Sequence, residues 1–174
     1  MIITLAMKAE AANKLEHIKY TGTSGLYSAV VPKPEYVERI MRISEELGLP
    51  TDEAGLHATV IYSKKAPSTQ SVSNFDPTQE MPGIINAVES WVGHNDKTYI
   101  VLKIVSPHIV SQNASFQRMG AEHTFVPFAP HITLSDEVPV TPELKEKIDM
   151  INKRFAYSPI EVVFHNMIIG DLEP

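Results

Sequence analysis

Two short runs carry the residues that can do chemistry: Gly55-Leu56-His57-Ala58-Thr59-Val60-Ile61-Tyr62 and Ala129-Pro130-His131-Ile132-Thr133-Leu134-Ser135. Each holds His-x-Thr inside an apolar stretch that ends in polar turn formers. That is the pattern of a strand, along which residues two apart share a side. His57 is therefore expected beside Thr59, and His131 beside Thr133, with Ala58, Val60, Ile132 and Leu134 turned into a core. An imidazole, with its ordinary pKa near 6.5, takes and gives protons at neutral pH, so two facing one another supply a general base and a general acid. The hydroxyls beside them suit the non-bridging oxygens of a phosphate as charge builds there. Together these groups form a phosphodiester-cleaving arrangement that needs no metal.

Other chemistries find less support. Zinc needs three or four ligands, and the neighbours of both motifs are Thr, Ala, Ile and Leu, so no metal site is expected. The chain has no cysteine, which excludes thiol catalysis. It also lacks a Gly-x-Ser-x-Gly elbow for a serine nucleophile and a glycine-rich phosphate loop following a strand.

The elements around the motifs repeat. Val31 closes one apolar run before Pro32 and Pro34 open a helical pattern, and His57 follows 26 residues after Val31. Val105 closes another before Pro107 opens a second helical pattern, and His131 again follows after 26 residues. A unit of strand, proline-started helix, loop and His-x-Thr strand thus occurs twice, predicting two similar halves that present equivalent sites. Helices are expected from Pro34 to a stop at Gly48, from Pro107 to Met119, and from Thr141-Pro142 through Phe155. Strands are expected at Leu26 to Val31, at both motifs, at Ile84 to Val92 and Thr98 to Val105 as a hairpin, and at Ile160 to Ile169. Ser63 to Pro82 reads as a long loop beside the site and Gly120 to Phe128 as a second loop, while Leu5 to Ile18 reads as a short amphipathic helix. Lys64 and Lys65 follow the first motif as solvated loop charges. His17, His94, His108, His123 and His165 have no partner at a matching position in the repeat and read as structural or exposed.

The 174 residues fit a single domain, 1–174, able to bury roughly 70% of its unfolded surface. The start, Met1 to Met7, lacks a basic region and is followed by Lys8 and Glu10, so neither a signal peptide nor a membrane span is expected. The absence of cysteine suits a cytoplasmic location. A formal charge of −6 argues against coating long nucleic acid, which is driven by many cationic contacts to phosphates. A small phosphorylated ligand in a local pocket is compatible with it. The order of elements indicates an α+β fold with largely antiparallel strands.

His57-Ala58-Thr59-Val60 and His131-Ile132-Thr133-Leu134 resemble the paired His-x-Thr/Ser-x motifs of the 2H phosphoesterase superfamily. The resemblance implies a bilobal fold: two pseudo-symmetric lobes of mostly antiparallel strands, with outer helices and a central cleft, acting without metal or other cofactor. It makes His57 and His131 the acid and base, and Thr59 and Thr133 the phosphate ligands. Within the superfamily the chain is most similar to bacteriophage anti-CBASS phosphodiesterases, through Gly25-Leu26-Tyr27-Ser28-Ala29-Val30, the segment His57 to Lys64 and the lone Trp91. That implies cleavage of cyclic di- and trinucleotide immune signals in a host cytoplasm, with Tyr27, Trp91 and Glu161 holding the nucleobases. Two alternatives stand beside it: an enzyme for 2′,3′-cyclic phosphate or 2′-5′ linked RNA, and a non-catalytic module that sequesters a nucleotide. Base preference, oligomeric state and the division of acid from base between the histidines are left open.

Overall fold

The computed structural model describes residues 18–93 and 96–172. The predicted helix at Leu5 to Ile18 lies outside them, apart from Ile18, which instead starts a two-residue strand, β1 (Ile18–Lys19). The chain continues through β2 (Leu26–Pro32), α1 (Pro34–Leu47), β3 (Ala58–Ser63), α2 (Thr69–Val72), β4 (Met81–Val92) and β5 (Thr98–Val105). It ends with α3 (Pro107–Arg118), β6 (His131–Ser135), α4 (Pro142–Tyr157) and β7 (Ile160–Asp171). The stretch expected to be one loop from Ser63 to Pro82 thus holds a helical turn, and its last two residues already belong to β4.

Helix boundaries follow local chemistry. Proline opens α1, α3 and α4, where its missing N–H costs nothing because the first helical donors have no partner within the helix. Ser106 and Thr141 cap the latter two by accepting from the backbone N–H of Ile109 and Leu144. Gly48 ends α1 in the left-handed conformation at φ 68°, its N–H donating to Glu45 O.

Apart from β1, which runs parallel to β7, every strand pairing is antiparallel. The order is β1-β7-β2-β3-β6-β5-β4, and β4 also pairs with β7, so the sheet curls until its far strands meet. With β1 set aside, exchanging β2, β3 and β4 for β5, β6 and β7 gives the same order read from the other end. The repeat seen in the sequence is therefore a symmetry of the topology, with β3 and β6 side by side at its centre. Each half sends its last strand across: β4 leaves β3 to pair with β5, and β7 leaves β6 to pair with β2.

One face of the sheet packs under the helices. Ala58, Val60, Ile132 and Leu134 are buried there with Ile40 and Leu47 of α1, Phe116 of α3 and Phe155 of α4. Each large apolar side chain so buried stabilises the fold by about 1.5–3 kcal/mol. Strand β2 is closed on both faces, because Tyr27 and Ala29 pack with Ile168 and Leu172 in a second, smaller cluster on the opposite side.

The entry to β2 is conformationally demanding. Gly25 has φ 116°, and a Cβ placed on it would lie 2.4 Å from Ser63 O. Gly25→Ala should therefore cost about 3 kcal/mol of stability in urea unfolding; a loss below about 1 kcal/mol would show that this close approach does not constrain the fold.

Candidate active site

The two motif strands are hydrogen-bonded neighbours, with Ala58 opposite Ile132. Continuing that antiparallel register by one residue each way sets Thr59 opposite His131 and His57 opposite Thr133. The core side chains Ala58, Val60, Ile132 and Leu134 are buried, and the four motif side chains, half-buried, occupy the other face as the period-2 pattern predicted. Side chains directly opposite one another lie about 5 Å apart at Cβ, and diagonal ones about 7–8 Å. The imidazoles thus take one diagonal of a small quadrilateral and the hydroxyls the other.

The repeat extends to the hydrogen bonds. His57 Nδ1 lies 2.8 Å from Gly55 O, and His131 Nδ1 lies 2.7 Å from Ala129 O, in each case the carbonyl two residues earlier. A carbonyl only accepts, so Nδ1 carries the proton in both rings, which makes Nε2 the unprotonated nitrogen of each neutral ring. The 3₁₀ turn Glu53–Gly55 brings the Gly55 carbonyl into place, capped by the Asp52 side chain, which accepts from Ala54 N. Just before that turn, Thr51 Oγ1 donates to Leu134 O at 2.8 Å, fastening the approach to the first motif onto the strand of the second.

Tyr27 lies beside the quadrilateral, its hydroxyl 3.3 Å from Thr59 Oγ1. Burial pushes its pKa up to about 12, against the opposing hydrogen bond from Thr59, so it stays protonated. Trp91 stands at the other side, its ring centroid 4.6 Å from that of His131 in an edge-on contact. The indole Nε1–H donates to Glu89 Oε2 at 2.7 Å. Two of the three residues tied to nucleobases by resemblance therefore touch the motif residues. The third, Glu161, is exposed at the start of β7, opposite Ile84 of β4 and three strands from β6. Burial lowers the His131 pKa, only partly offset by its bond to Ala129 O. Among the described residues no three His, Asp or Glu side chains converge as a metal set, and no helix is long and apolar enough to cross a membrane.

A family model described as Anti-CBASS protein Acb1 matches residues 24–172. The chain belongs to the Acb1 family. Curated relatives agree. The Anti-CBASS protein Acb1 of Vibrio phage KVP40 is 27% identical over 152 residues, spanning 85% of this chain and 97% of that protein. Those of Salmonella phage S16 and Yersinia phage phiR1-RT are 27% and 28% identical, covering 67% and 71% of this chain and 74% and 78% of their own. The Acb1 match runs from just before β2 through β7, so it takes in both motifs and their flanking aromatics.

Sequence reasoning passed over part of what surrounds this Acb1 site. His123 was grouped with the structural or exposed histidines, and it is structural: its Nδ1 accepts from Tyr62 N–H at 3.2 Å. Its ring packs edge-on against Phe128 and Phe125, with centroids 4.8 and 6.2 Å away. Glu122 N–H donates to Ser63 Oγ and Thr124 N–H to Tyr62 O, so the loop that presents Ala129 O to His131 is sewn to the end of β3. The only sign of this in the sequence was a histidine among phenylalanines in a loop, and nothing in that pattern names the strand it meets. His108 is exposed, and His165 lies on β7; His17 and His94 fall outside the described residues.

Burial, and secondarily the charge of nearby His131, lowers the His123 pKa from 6.5 to about 4. Between those values the unfolded chain binds a proton that the native state refuses, so stability falls as pH drops from 6.5 towards 4. In His123→Asn, which keeps an acceptor for Tyr62 N–H, that fall should be smaller. Urea midpoints at pH 6.5 and 4.5 measure it, and equal losses in both proteins would dismiss the role of His123.

Proposed function

We propose that this chain is a metal-independent phosphodiesterase that opens cyclic di- and trinucleotide immune signals, counteracting CBASS defence in the cytoplasm of an infected bacterium. The observation that carries the reading is the quadrilateral of His57, Thr59, His131 and Thr133, with both imidazoles turned the same way by equivalent carbonyls. Membership in a family whose phage relatives are named Anti-CBASS protein supports the biological role. The symmetric strand order supports a single 2H phosphoesterase-like domain of two pseudo-symmetric lobes, with the quadrilateral in the cleft between them.

The attacker is the substrate's own ribose 2′-hydroxyl, since the chain has no cysteine and no serine elbow. His131 is the base, because burial holds its pKa below the ordinary range and keeps Nε2 unprotonated at neutral pH. It takes the 2′-hydroxyl proton while His57 Nε2–H protonates the departing 5′-oxygen. The P–O5′ bond breaks as the O2′–P bond forms, giving a linear product with a 2′,3′-cyclic phosphate end. Thr59 and Thr133 donate to the non-bridging oxygens. The Tyr27 hydroxyl, held protonated, lies 3.3 Å from Thr59 Oγ1, and either can donate; with the phosphate bound, donation by Tyr27 turns the threonine's own proton towards it. Trp91 flanks the phosphate as a stacking surface, a stacked base being worth about 1–3 kcal/mol; Tyr27, its ring packed in the second cluster, meets the ligand only through its hydroxyl edge, and Glu161 holds a base edge further out.

Incubation with a panel of cyclic oligonucleotides, followed by mass spectrometry, tests this reading directly. A linear product at a rate that chelator leaves unchanged is expected. His57→Ala and His131→Ala should each lose about a hundredfold or more in turnover while retaining the fold. A substrate lacking the 2′-hydroxyl beside the scissile phosphate should bind without reacting. Ligand recovered unchanged would leave a sequestering module, and preferential turnover of linear 2′-5′ RNA ends would move the activity to a neighbouring class.

The assignment of base to His131 has its own consequence. In kcat/KM, which reports the free enzyme, the acidic limb should fall below pH 6.5, because the base stays deprotonated to lower pH than an ordinary histidine. An acidic limb clearly above 6.5 would exchange the two roles.

A further inference from the structure

The four motif side chains include no fixed positive charge. His131 is held neutral by burial and the threonines are uncharged, yet each phosphate of a cyclic oligonucleotide brings a full negative charge into a protein of formal charge −6. The residue opposite His131 on the neighbouring strand is Lys103 of β5. Directly opposite residues of an antiparallel pair share a face with Cβ atoms about 5 Å apart, so the lysine stem rises beside the imidazole. Its side chain is 41% exposed, and its ammonium lies 3.5 Å from Glu89 Oε1. A half-exposed pair at that distance contributes little and is readily exchanged. The same Glu89 holds the Trp91 indole through its other oxygen at 2.7 Å, so the lysine can leave without releasing the ring.

We propose that Lys103 is a substrate-binding residue of this site: its ammonium exchanges Glu89 for a non-bridging oxygen of the phosphate beside His131, while Glu89 stays behind as the positioning residue for Trp91. This rests on the cyclic-oligonucleotide reading above. The lysine supplies a permanent positive charge beside His131, separate from the proton that His57 carries and gives up as the acid, and its resting partner lowers the cost of holding that charge when the site is empty. The row Trp91, Glu89, Lys103 and His131 then forms one wall, apolar where a base stacks and cationic where a phosphate sits.

Trp91 is the only tryptophan, so intrinsic fluorescence reports its surroundings without a label. The experiment is a fluorescence titration with a cyclic dinucleotide lacking both 2′-hydroxyls, run on the full chain at several salt concentrations. Lys103→Met should weaken binding about tenfold and reduce the slope of log affinity against log salt by about one. Its ligand-free emission should be unchanged. Glu89→Gln frees the lysine, removes a like charge near the phosphate and keeps an acceptor for the indole, so it should tighten binding by a factor of about two to five. If Lys103 served only to hold Glu89 and Trp91, both variants would weaken binding together and Lys103→Met would shift the ligand-free emission; either result overturns the proposal. Wild-type protein that neither binds nor cleaves any cyclic dinucleotide would defeat the functional reading and this proposal with it. Wild-type binding matched by Lys103→Met would defeat the lysine assignment alone.

Discussion

The pairing of β3 with β6 is the constraint on which the site depends. Each motif strand on its own displays one imidazole and one hydroxyl, which is half of an acid–base pair. Only the antiparallel register with Ala58 opposite Ile132 places each histidine across from the other motif's threonine. A slip by one residue would turn one strand's polar pair into the core and its apolar pair into the site. Burial of Ala58, Val60, Ile132 and Leu134 beneath the helices prevents that slip, so the hydrophobic face fixes the geometry of the polar one. The bond from Thr51 to Leu134 O adds a second tie between the same two segments, from the approach to one motif onto the strand of the other.

Neutrality is the second constraint. Each imidazole spends its Nδ1 proton on a carbonyl, which orients the ring and fixes which nitrogen does chemistry. Burial then disfavours the charged form of His131, and burial with the charge of His131 lowers the His123 pKa further, to about 4. Aromatic rings stand against both histidines, Trp91 against His131 and Phe125 and Phe128 against His123. On the proposed reading, a base at His131 gains from this only if positive charge lies close by without sitting on the ring itself. The titrating ring and a fixed cation would then be separate groups, meeting where Lys103 of β5 stands opposite His131.

The sequence made the period-2 strands, the proline-opened helices and the 26-residue repeat legible because each rests on local chemistry: side-chain alternation, missing N–H donors, turn formers. The same reasoning placed the four motif residues on one face, and Trp91 and Tyr27 fell beside them. Adjacency of β3 and β6 was not legible, since 74 residues separate the histidines and no local pattern encodes which strands pair. The crossing of β4 and β7 between halves escaped for the same reason, and so did the early pairing of Met81 and Pro82 with β7. The turn at Thr69–Val72 was hidden by polar, proline-flanked surroundings, although Ser68 caps it and Val72 is fully buried. Nothing in the hairpin pattern marks Lys103 or Glu89; only the register of β5 against β6 sets Lys103 opposite His131.

The crossed strands brace a candidate site that is assembled from two halves. If β4 had stayed beside β3, and β7 beside β6, the halves would touch mainly along the central pair, whose recorded ladder is short. Because β4 lies against β5 and β7 against β2, each half is braced by a strand belonging to the other. The direct β4–β7 pairing then ties the braces together at the far side, with Phe164 opposite both Met81 and Pro32. Opening the two motifs would have to break these long ladders as well as the central one. The segments least bound into these ladders are the connections, chiefly the one after Ser63 and the loop from Gly120 to Pro130. The second of these is tied to β3 by two backbone donors and carries the carbonyl that orients His131. A shift of that loop would move the carbonyl that orients the His131 ring.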